Sequence, residues 1–300
     1  MRMTFLRGLT VAAGLALAIG WAMAATPTPR MKYIGSLLWH EREHHQGGFS
    51  GLEVSDDGAA FTTITDRGMI LHGTFRRQAD GRLVGASVSS AQALRDPDGE
   101  AVIYAMADSE GLAEGPDGTA FVSFEGKHRV WAFPPDGPTY SLSDPTTFPK
   151  MQNNSGFEAL AIDDKGRLYT LPERSGQLTR PFPVFRYDPQ TGKWSQPFSV
   201  LRRGNFLPVG ADFGPDGALY LLEREFTGIA FRSRVRRLTL QGDRVTHDET
   251  ILATHALVHG NLEGISAWRD KTGAIRLTMV SDNNFNSFQR TEFVEYRVTD

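Results

Sequence analysis

Residues 158–175 read EALAIDDKGRLYTLPERS. A short apolar run enters a turn containing Lys-Gly, and a run of alternating apolar and β-branched residues leaves it. Two such runs around a glycine turn make a β-hairpin. The same grammar recurs in SGLEVSDDGAAFTTITDRG (50–68), EGLAEGPDGTAFVSFEGK (110–127), VGADFGPDGALYLLEREF (209–226) and EGISAWRDKTGAIRLTMVSDNN (263–284). The copies begin at 50, 110, 158, 209 and 263, a spacing of 48 to 60 residues. Self-similarity at such a period marks a repeat architecture.

The intervals between the hairpins also read as strands, among them ILHGTFRR, HRVWAFP and FPVFRYDPQTGKWSQPFSVL. Long amphipathic helical periodicity is absent, and Gly and Pro punctuate the whole chain. One four-stranded antiparallel sheet per repeat describes an all-β protein, a β-propeller. A β-sandwich with coincidental Asp-Gly turns would need no period. Five copies predict five blades, with room for a degenerate sixth in the long interval 69–107. The last copy is one strand short, and MKYIGSLLW (31–39) has no hairpin of its own. This N-terminal strand is predicted to join the last blade and close the ring, which removes exposed sheet edges.

Ahead of that strand, Arg2 and Arg7 precede the apolar run GLTVAAGLALAIGWAMA, which ends in the small-residue pattern Ala22-Met23-Ala24. Residues 1–24 therefore read as a signal peptide, and 25–300 as one propeller domain. No later segment is apolar enough to span a membrane, so the expectation is a periplasmic or secreted, monomeric protein. The chain has no Cys, which excludes disulfides, thiolate chemistry and lipoprotein anchoring. Without Arg2 and Arg7 it carries 30 basic against 35 acidic residues, a balance that does not recommend nucleic acid as a partner.

One stretch offers a different chemistry. HEREHH (40–45) fits H-E-x-x-H, the zinc-peptidase signature, with His40 and His44 as ligands and Glu41 as base. That reading needs a helix, yet an apolar strand precedes the motif and QGGFSG follows it. The segment reads instead as a polar loop from the closing strand into the first blade. A third reading puts His44 or His45 at the channel mouth as a phosphate or proton contact.

The acids follow the repeat. The first strands of the hairpins open with Ser50, Glu110, Glu158, Val209 and Glu263, and the second strands end with Asp66, Glu125, Glu173, Glu223 and Asp282. The separations are 16, 15, 15, 14 and 19 residues. Asp108 precedes Glu110 by two residues. The start of one antiparallel strand and the end of the next share a sheet edge, so both sets are predicted at one mouth of the channel. Carboxylates gathered there repel unless cations compensate. Arg67, Arg174 and Arg224 each follow a second-ring acid and supply part of that charge, or else form salt bridges between blades. An all-oxygen ligand set suits Ca²⁺, and the metal candidates are Asp66, Glu110, Glu158, Glu173, Glu223, Glu263 and Asp282. Asp57, Asp117, Asp164 and Asp216 sit in the turns for their geometry and are assigned no function.

Taken together, GGFSGLEVSDDGAAFTTITDRG, DSEGLAEGPDG, FVSFEGKHRVWAF, NSGFEALAIDDKGRLYTLPERS, LLEREF and NLEGIS…MVSDNNFN resemble the phytase-like propeller family, labelled "esterase-like activity of phytase". The resemblance spans about residues 47–290. Its relation to calcium-dependent propeller phytases implies phosphoester hydrolysis with calcium, and their six blades imply one more than the repeats count.

Two functions follow. In the first, ring acids hold calcium, Arg67, Arg174 and Arg224 fork onto a small phosphorylated or ester substrate, and Glu125 or Glu158 is the base. No G-x-S-x-G motif supports a serine esterase. In the second, the propeller is not catalytic and binds a ligand or partner protein at the acidic mouth, with calcium structural.

Overall fold

The computed structural model describes residues 30–40, 47–102, 106–125, 128–142, 156–286 and 288–299. The expected signal peptide and residues 41–45 of the histidine-rich stretch lie outside the described residues.

The repeated turns share one geometry. Gly58, Gly118, Gly166, Gly217 and Gly273 have φ of 70–83°, a region glycine enters without steric cost. Each donates its N–H to the carbonyl three residues back, at 2.7–2.9 Å. Turn acids accept the next free N–H: Asp57 from Ala59, Asp117 from Thr119 and Asp216 from Ala218. In the third copy this acceptor is Asp163, bonded by Lys165 and Arg167, where the repeat pattern points to Asp164.

Twenty strands form five four-stranded sheets. The chain begins with β1 (Met31–Leu38). The first blade is β2 (Phe49–Val54), β3 (Ala60–Thr65), β4 (Met69–Arg77) and β5 (Leu83–Ala93). The second is β6 (Ser109–Glu114), β7 (Ala120–Phe124), β8 (Arg129–Phe133) and β9 (Tyr140–Ser141). The third is β10 (Phe157–Ile162), β11 (Leu168–Pro172), β12 (Phe182–Asp188) and β13 (Lys193–Val200). The fourth is β14 (Leu207–Phe213), β15 (Leu219–Phe226), β16 (Phe231–Gln241) and β17 (Arg244–Ala253). In the fifth, β18 (Asn261–Arg269), β19 (Ile275–Asp282) and β20 (Glu292–Val298) are completed by β1. The long first interval is filled by the β4–β5 hairpin and a connector, so the ring has five blades and no sixth. No helix among the described residues is long and apolar enough to cross a membrane.

The inner strands β2, β6, β10, β14 and β18 pack against one another around the axis. Each carries glycine or alanine there: Gly51, Gly111, Ala159, Gly210 and Gly264. A Cβ on Gly51 would stand 2.6 Å from the Leu112 Cβ, and one on Gly111 2.6 Å from the Glu158 carbonyl oxygen. Leu52, Leu112, Leu160 and Ile265 line a cavity at the axis, which Ser50 and Glu110 also line.

Closure falls between the fifth and first blades. β1 pairs with β20 from Met31↔Val298 to Leu38↔Glu292, as the sequence predicts. Trp39 then packs 4.8 Å from both Phe49 and Phe293, and Phe61 and Phe75 complete the aromatic cluster across the seam. Arg77 of β4 forks onto Glu295 of β20 at 2.8 and 2.9 Å, and Arg276 reaches the same carboxylate at 2.6 Å. Glu295→Ala leaves two arginines facing each other in a buried seam. It is expected to cost about 3–5 kcal/mol in denaturant unfolding, whereas exposed Asp80→Ala changes stability little.

The end of the axis opposite the mouth holds a second carboxyl group set. Ser266 Oγ lies 3.3 Å from Glu53 Oε2 and 3.4 Å from Asp212 Oδ2, and accepts the Val54 N–H. One hydroxyl proton cannot serve two carboxylates. Burial, followed by Asp212 and Glu114, pushes Glu53 well above the carboxylate range. Burial raises Asp212 from 3.8 to about 7 against the N–H bonds of Ala267 and Phe213. The native state therefore holds protons that the unfolded chain releases. That stabilisation is complete below the ordinary 3.8 and is lost as pH rises through about 7. Asp212→Asn is expected to flatten the fall of melting temperature between these limits; an unchanged profile would show that Asp212 is ionised throughout.

Candidate active site at the channel mouth

The crowded axis dictates how the first ring of acids is presented. Every first strand slips register against the second where it meets the axis. The shifts lie between Phe49 and Gly51, Ser109 and Leu112, Phe157 and Ala159, Pro208 and Gly210, and Leu262 and Gly264. The residues inside these bulges are Ser50, Glu110 with Gly111, Glu158, Val209 and Glu263. A bulge re-aims the side chain it contains. The sequence-predicted first ring is thus a ring of bulges, and Glu110, Glu158 and Glu263 do converge at the mouth.

The second ring needs one correction. The Asp66 N–H donates to the Gly48 carbonyl, Glu125 to Asp108 and Glu173 to Gly156, while Asp282 is opposite Asn261. In the fourth blade the equivalent pair is Leu207↔Arg224, and Glu223 lies one residue inside it, opposite Pro208. Successive strand residues face opposite ways, so Glu223 points away from the mouth. Its oxygens are taken by Arg234 at 2.5 Å and Arg236 at 3.0 Å, and it is fully buried. Glu223 is therefore a structural ion-pair partner and not a metal ligand. The sequence does carry a signal: the fourth separation is 14 residues where the second and third are 15, and 15 from Val209 is Arg224.

Arg224 is the cation of the ring. It donates to Glu263, to Asn261 Oδ1 at 2.8 Å and to Glu173 Oε1 at 3.4 Å. Burial works against its charge, but Glu263, Glu158, Glu173 and Glu110 outweigh burial and raise its pKa. Asn261, which the repeat pattern does not single out, also holds Glu263 through its amide at 2.6 Å. Through these bonds Arg224 balances the charge of the ring acids. Arg174 touches Glu173 at 3.1 Å but keeps most of its side chain in solvent. Arg67 stacks on Phe285, 3.4 Å from the ring centroid.

At the acids of the first two blades the cations are Arg67, which opposes the rise of Asp66, and Arg129, whose charge Asp108 favours. One oxygen each of Asp108, Glu110 and Glu125 lies within 4.8 Å of the others. Asp66 Oδ1 is buried without a hydrogen-bond partner among the described residues. Burial, then Glu158, Glu263, Asp108 and Glu125, drives the Glu110 pKa well upward. Burial and then Glu173 do the same to Glu158, with Arg224 opposing. Burial lifts Glu263 to about 7 against Arg224, and burial with Asp282 lifts Asp66 to about 6. Burial raises Glu125, with Asp108 adding to it. A dense set of hard oxygen donors, costly to ionise alone, fits a cation such as calcium. Asp108 is not among the metal candidates that the two ring positions supply; it joins the group because it adjoins the bulge at Glu110.

Asp282 accepts the N–H groups of Gly48 at 2.6 Å and Asn284 at 2.9 Å, which uses one of its oxygens. The next residues, Asn284 and Phe285, have φ of 49° and 51°, strained for side-chain-bearing residues, and this sets Phe285 under Arg67. His128, another residue outside the ring positions, follows Glu125 on the second blade, half-buried and kept neutral by burial.

Comparison with curated proteins gives no significant match. Among solved structures, a catalytically inactive virginiamycin B lyase from Staphylococcus aureus with quinupristin aligns at TM-score 0.44 and 11% identity, covering 89% of this chain and 99% of that one. A putative gluconolactonase aligns at TM-score 0.43 and 17% identity, over 84% and 91% of the two chains. The PQQ-bound aldose sugar dehydrogenase of Streptomyces coelicolor aligns at 0.41 and 15%, over 85% and 81%. At the level of families, residues 44–285 match the one described as "Phytase-like: Esterase-like activity of phytase". That match takes in every hairpin of the repeat and both acid rings, and the chain belongs to this phytase-like family.

Proposed function

We propose that the protein is an exported, monomeric, calcium-dependent hydrolase of phosphoric or other esters, working at the acidic mouth. The observation that carries this reading is the Asp108–Glu110–Glu125 group, three carboxylate oxygens within 4.8 Å beside the unpartnered Asp66 Oδ1. Asp108, Glu110 and Glu125 would hold the ion, with Asp66 adjacent, while Glu173, Glu263 and Asp282 are bound by Arg224 or backbone N–H groups. Bound calcium would supply charge for a phosphoryl or carbonyl oxygen and lower the pKa of a coordinated water.

The remaining roles belong to the chain itself. Glu158 is buried, has a strongly raised pKa and faces Glu173 and Arg224. A carboxyl tuned toward neutrality is matched to taking and returning a proton near pH 7. Arg224 holds Glu263 and Glu173 by direct hydrogen bonds at that mouth. Arg174 and Arg67, both exposed, are the cations able to turn toward an anionic group on the substrate.

The test uses the mature chain from Ala25, stripped with chelator and assayed on p-nitrophenyl phosphate, bis-p-nitrophenyl phosphate and p-nitrophenyl acetate, with and without calcium. Turnover is expected only with calcium. Glu158→Gln is expected to lower kcat by about 10²-fold or more with the calcium-induced rise in melting temperature retained. Glu110→Gln is expected to weaken that rise itself. A calcium-dependent melt with no turnover on any substrate would leave a calcium-stabilised binding propeller.

A further inference from the structure

Most exposed large apolar side chains lie at the mouth end; Tyr33 and Tyr140, on outer strands, lie toward the other. Loops joining second to third strands, and each blade to the next, leave on the mouth face, whereas the glycine turns are on the opposite one. Leu178, Phe226, Ile229, Leu257, Phe285 and Phe288 are all exposed on mouth-face loops, with Ile229 at 89% and Phe288 at 96%. Among the described residues, no exposed large apolar side chain lies on a turn of the opposite face. Isolated exposed apolar groups need no explanation, but this concentration around a candidate site does.

The apolar rim is continuous with the acid ring. Phe285 carries the Arg67 guanidinium at 3.4 Å. Phe226 packs 5.1 Å from Phe231, whose ring is 5.9 Å from the Arg224 guanidinium carbon. On the same face Arg232 is paired to Glu225, Arg290 to Glu292 and Arg203 to Asp248, which leaves Arg67 and Arg174 as the exposed cations beside the mouth. The described lysines, Lys32, Lys165, Lys193 and Lys271, all sit at the far end of the blades.

Resting on the hydrolase reading, we propose that the substrate is a singly charged or neutral ester with a sizeable apolar substituent, held by the mouth-face rim while its ester group reaches the acid ring. The apolar part is an acyl or alkyl chain or an aromatic ring, and the ester is carboxylic or phosphoric.

The experiment is a chain-length series on the calcium-loaded full protein: p-nitrophenyl acetate, butyrate and octanoate, p-nitrophenyl phosphate against its octyl diester, and phytate. Within the ester class that is turned over, kcat/KM is expected to rise by up to about fourfold per methylene that becomes buried, and phytate to be the poorest substrate. Ile229→Asp combined with Phe288→Ser should remove the chain-length dependence while the calcium-induced rise in melting temperature is retained. Binding of octyl phosphate by calorimetry is read alongside, because it needs no turnover. Binding that the double variant loses, without turnover, would sink the hydrolase reading and keep the apolar ligand site. Chain-length independence, preferred hydrolysis of phytate, or no octyl phosphate binding and no turnover would overturn the proposal. So would a rim-dependent dimer in solution, or rim-dependent flotation with phosphatidylcholine vesicles without chain-length dependence.

Discussion

Five first strands crowd one axis, and the rest of the molecule is arranged around that constraint. Gly51, Gly111, Ala159, Gly210 and Gly264 are small because a larger side chain would strike the neighbouring strand. The strands then bulge one residue earlier, so that Ser50, Glu110, Glu158, Val209 and Glu263 turn toward the mouth. Closure packing and site geometry share one cause. The step that lets the blades meet is the step that gathers the carboxylates.

Gathering carboxylates has an electrostatic consequence that the ring answers unevenly. On the third to fifth blades Arg224 and Asn261 satisfy Glu263 and Glu173 through direct hydrogen bonds. On the first two, Asp66, Asp108, Glu110 and Glu125 face each other, and the nearby cations are Arg67, which opposes the rise of Asp66, and Arg129, whose charge Asp108 favours. Burial raises the cost of each unpaired charge, so the arrangement is stable either by holding protons or by holding a cation. That asymmetry separates this mouth from a plain ring of salt bridges. The acid-Arg pairs visible in the sequence are mostly not pairs in space: Arg67 rests on Phe285, and Arg224 serves Glu263 and Glu173 instead of its neighbour Glu223.

The all-β class, the five repeats, the closing strand and the convergence of Glu110, Glu158 and Glu263 were legible in the sequence. Glycine turns, alternating runs and small residues are local requirements, and local requirements leave a trace at fixed intervals. The repeat also placed Asp66, Glu125, Glu173 and Asp282 at the right edge. Glu223 was misplaced by one residue, and strand alternation turns a one-residue error into the opposite face. Asp108 was noted beside Glu110 but given no role, and Asn261 was not singled out, because each takes its role from a bulge or a partner strand.

The sequence alone therefore determined the architecture and which edge of each blade would carry the acids, since hairpin chemistry and repeat spacing are written locally. Only the tertiary structure decided which carboxylates are neutralised, which share space without a cation, and where the exposed aromatic and aliphatic side chains gather. Those outcomes depend on contacts between blades separated by tens to hundreds of residues, such as Arg224 with Glu173 and Gly48 with Asp282. A charge is costly or satisfied according to what lies within a few ångströms of it, and that neighbourhood exists only once the ring has closed.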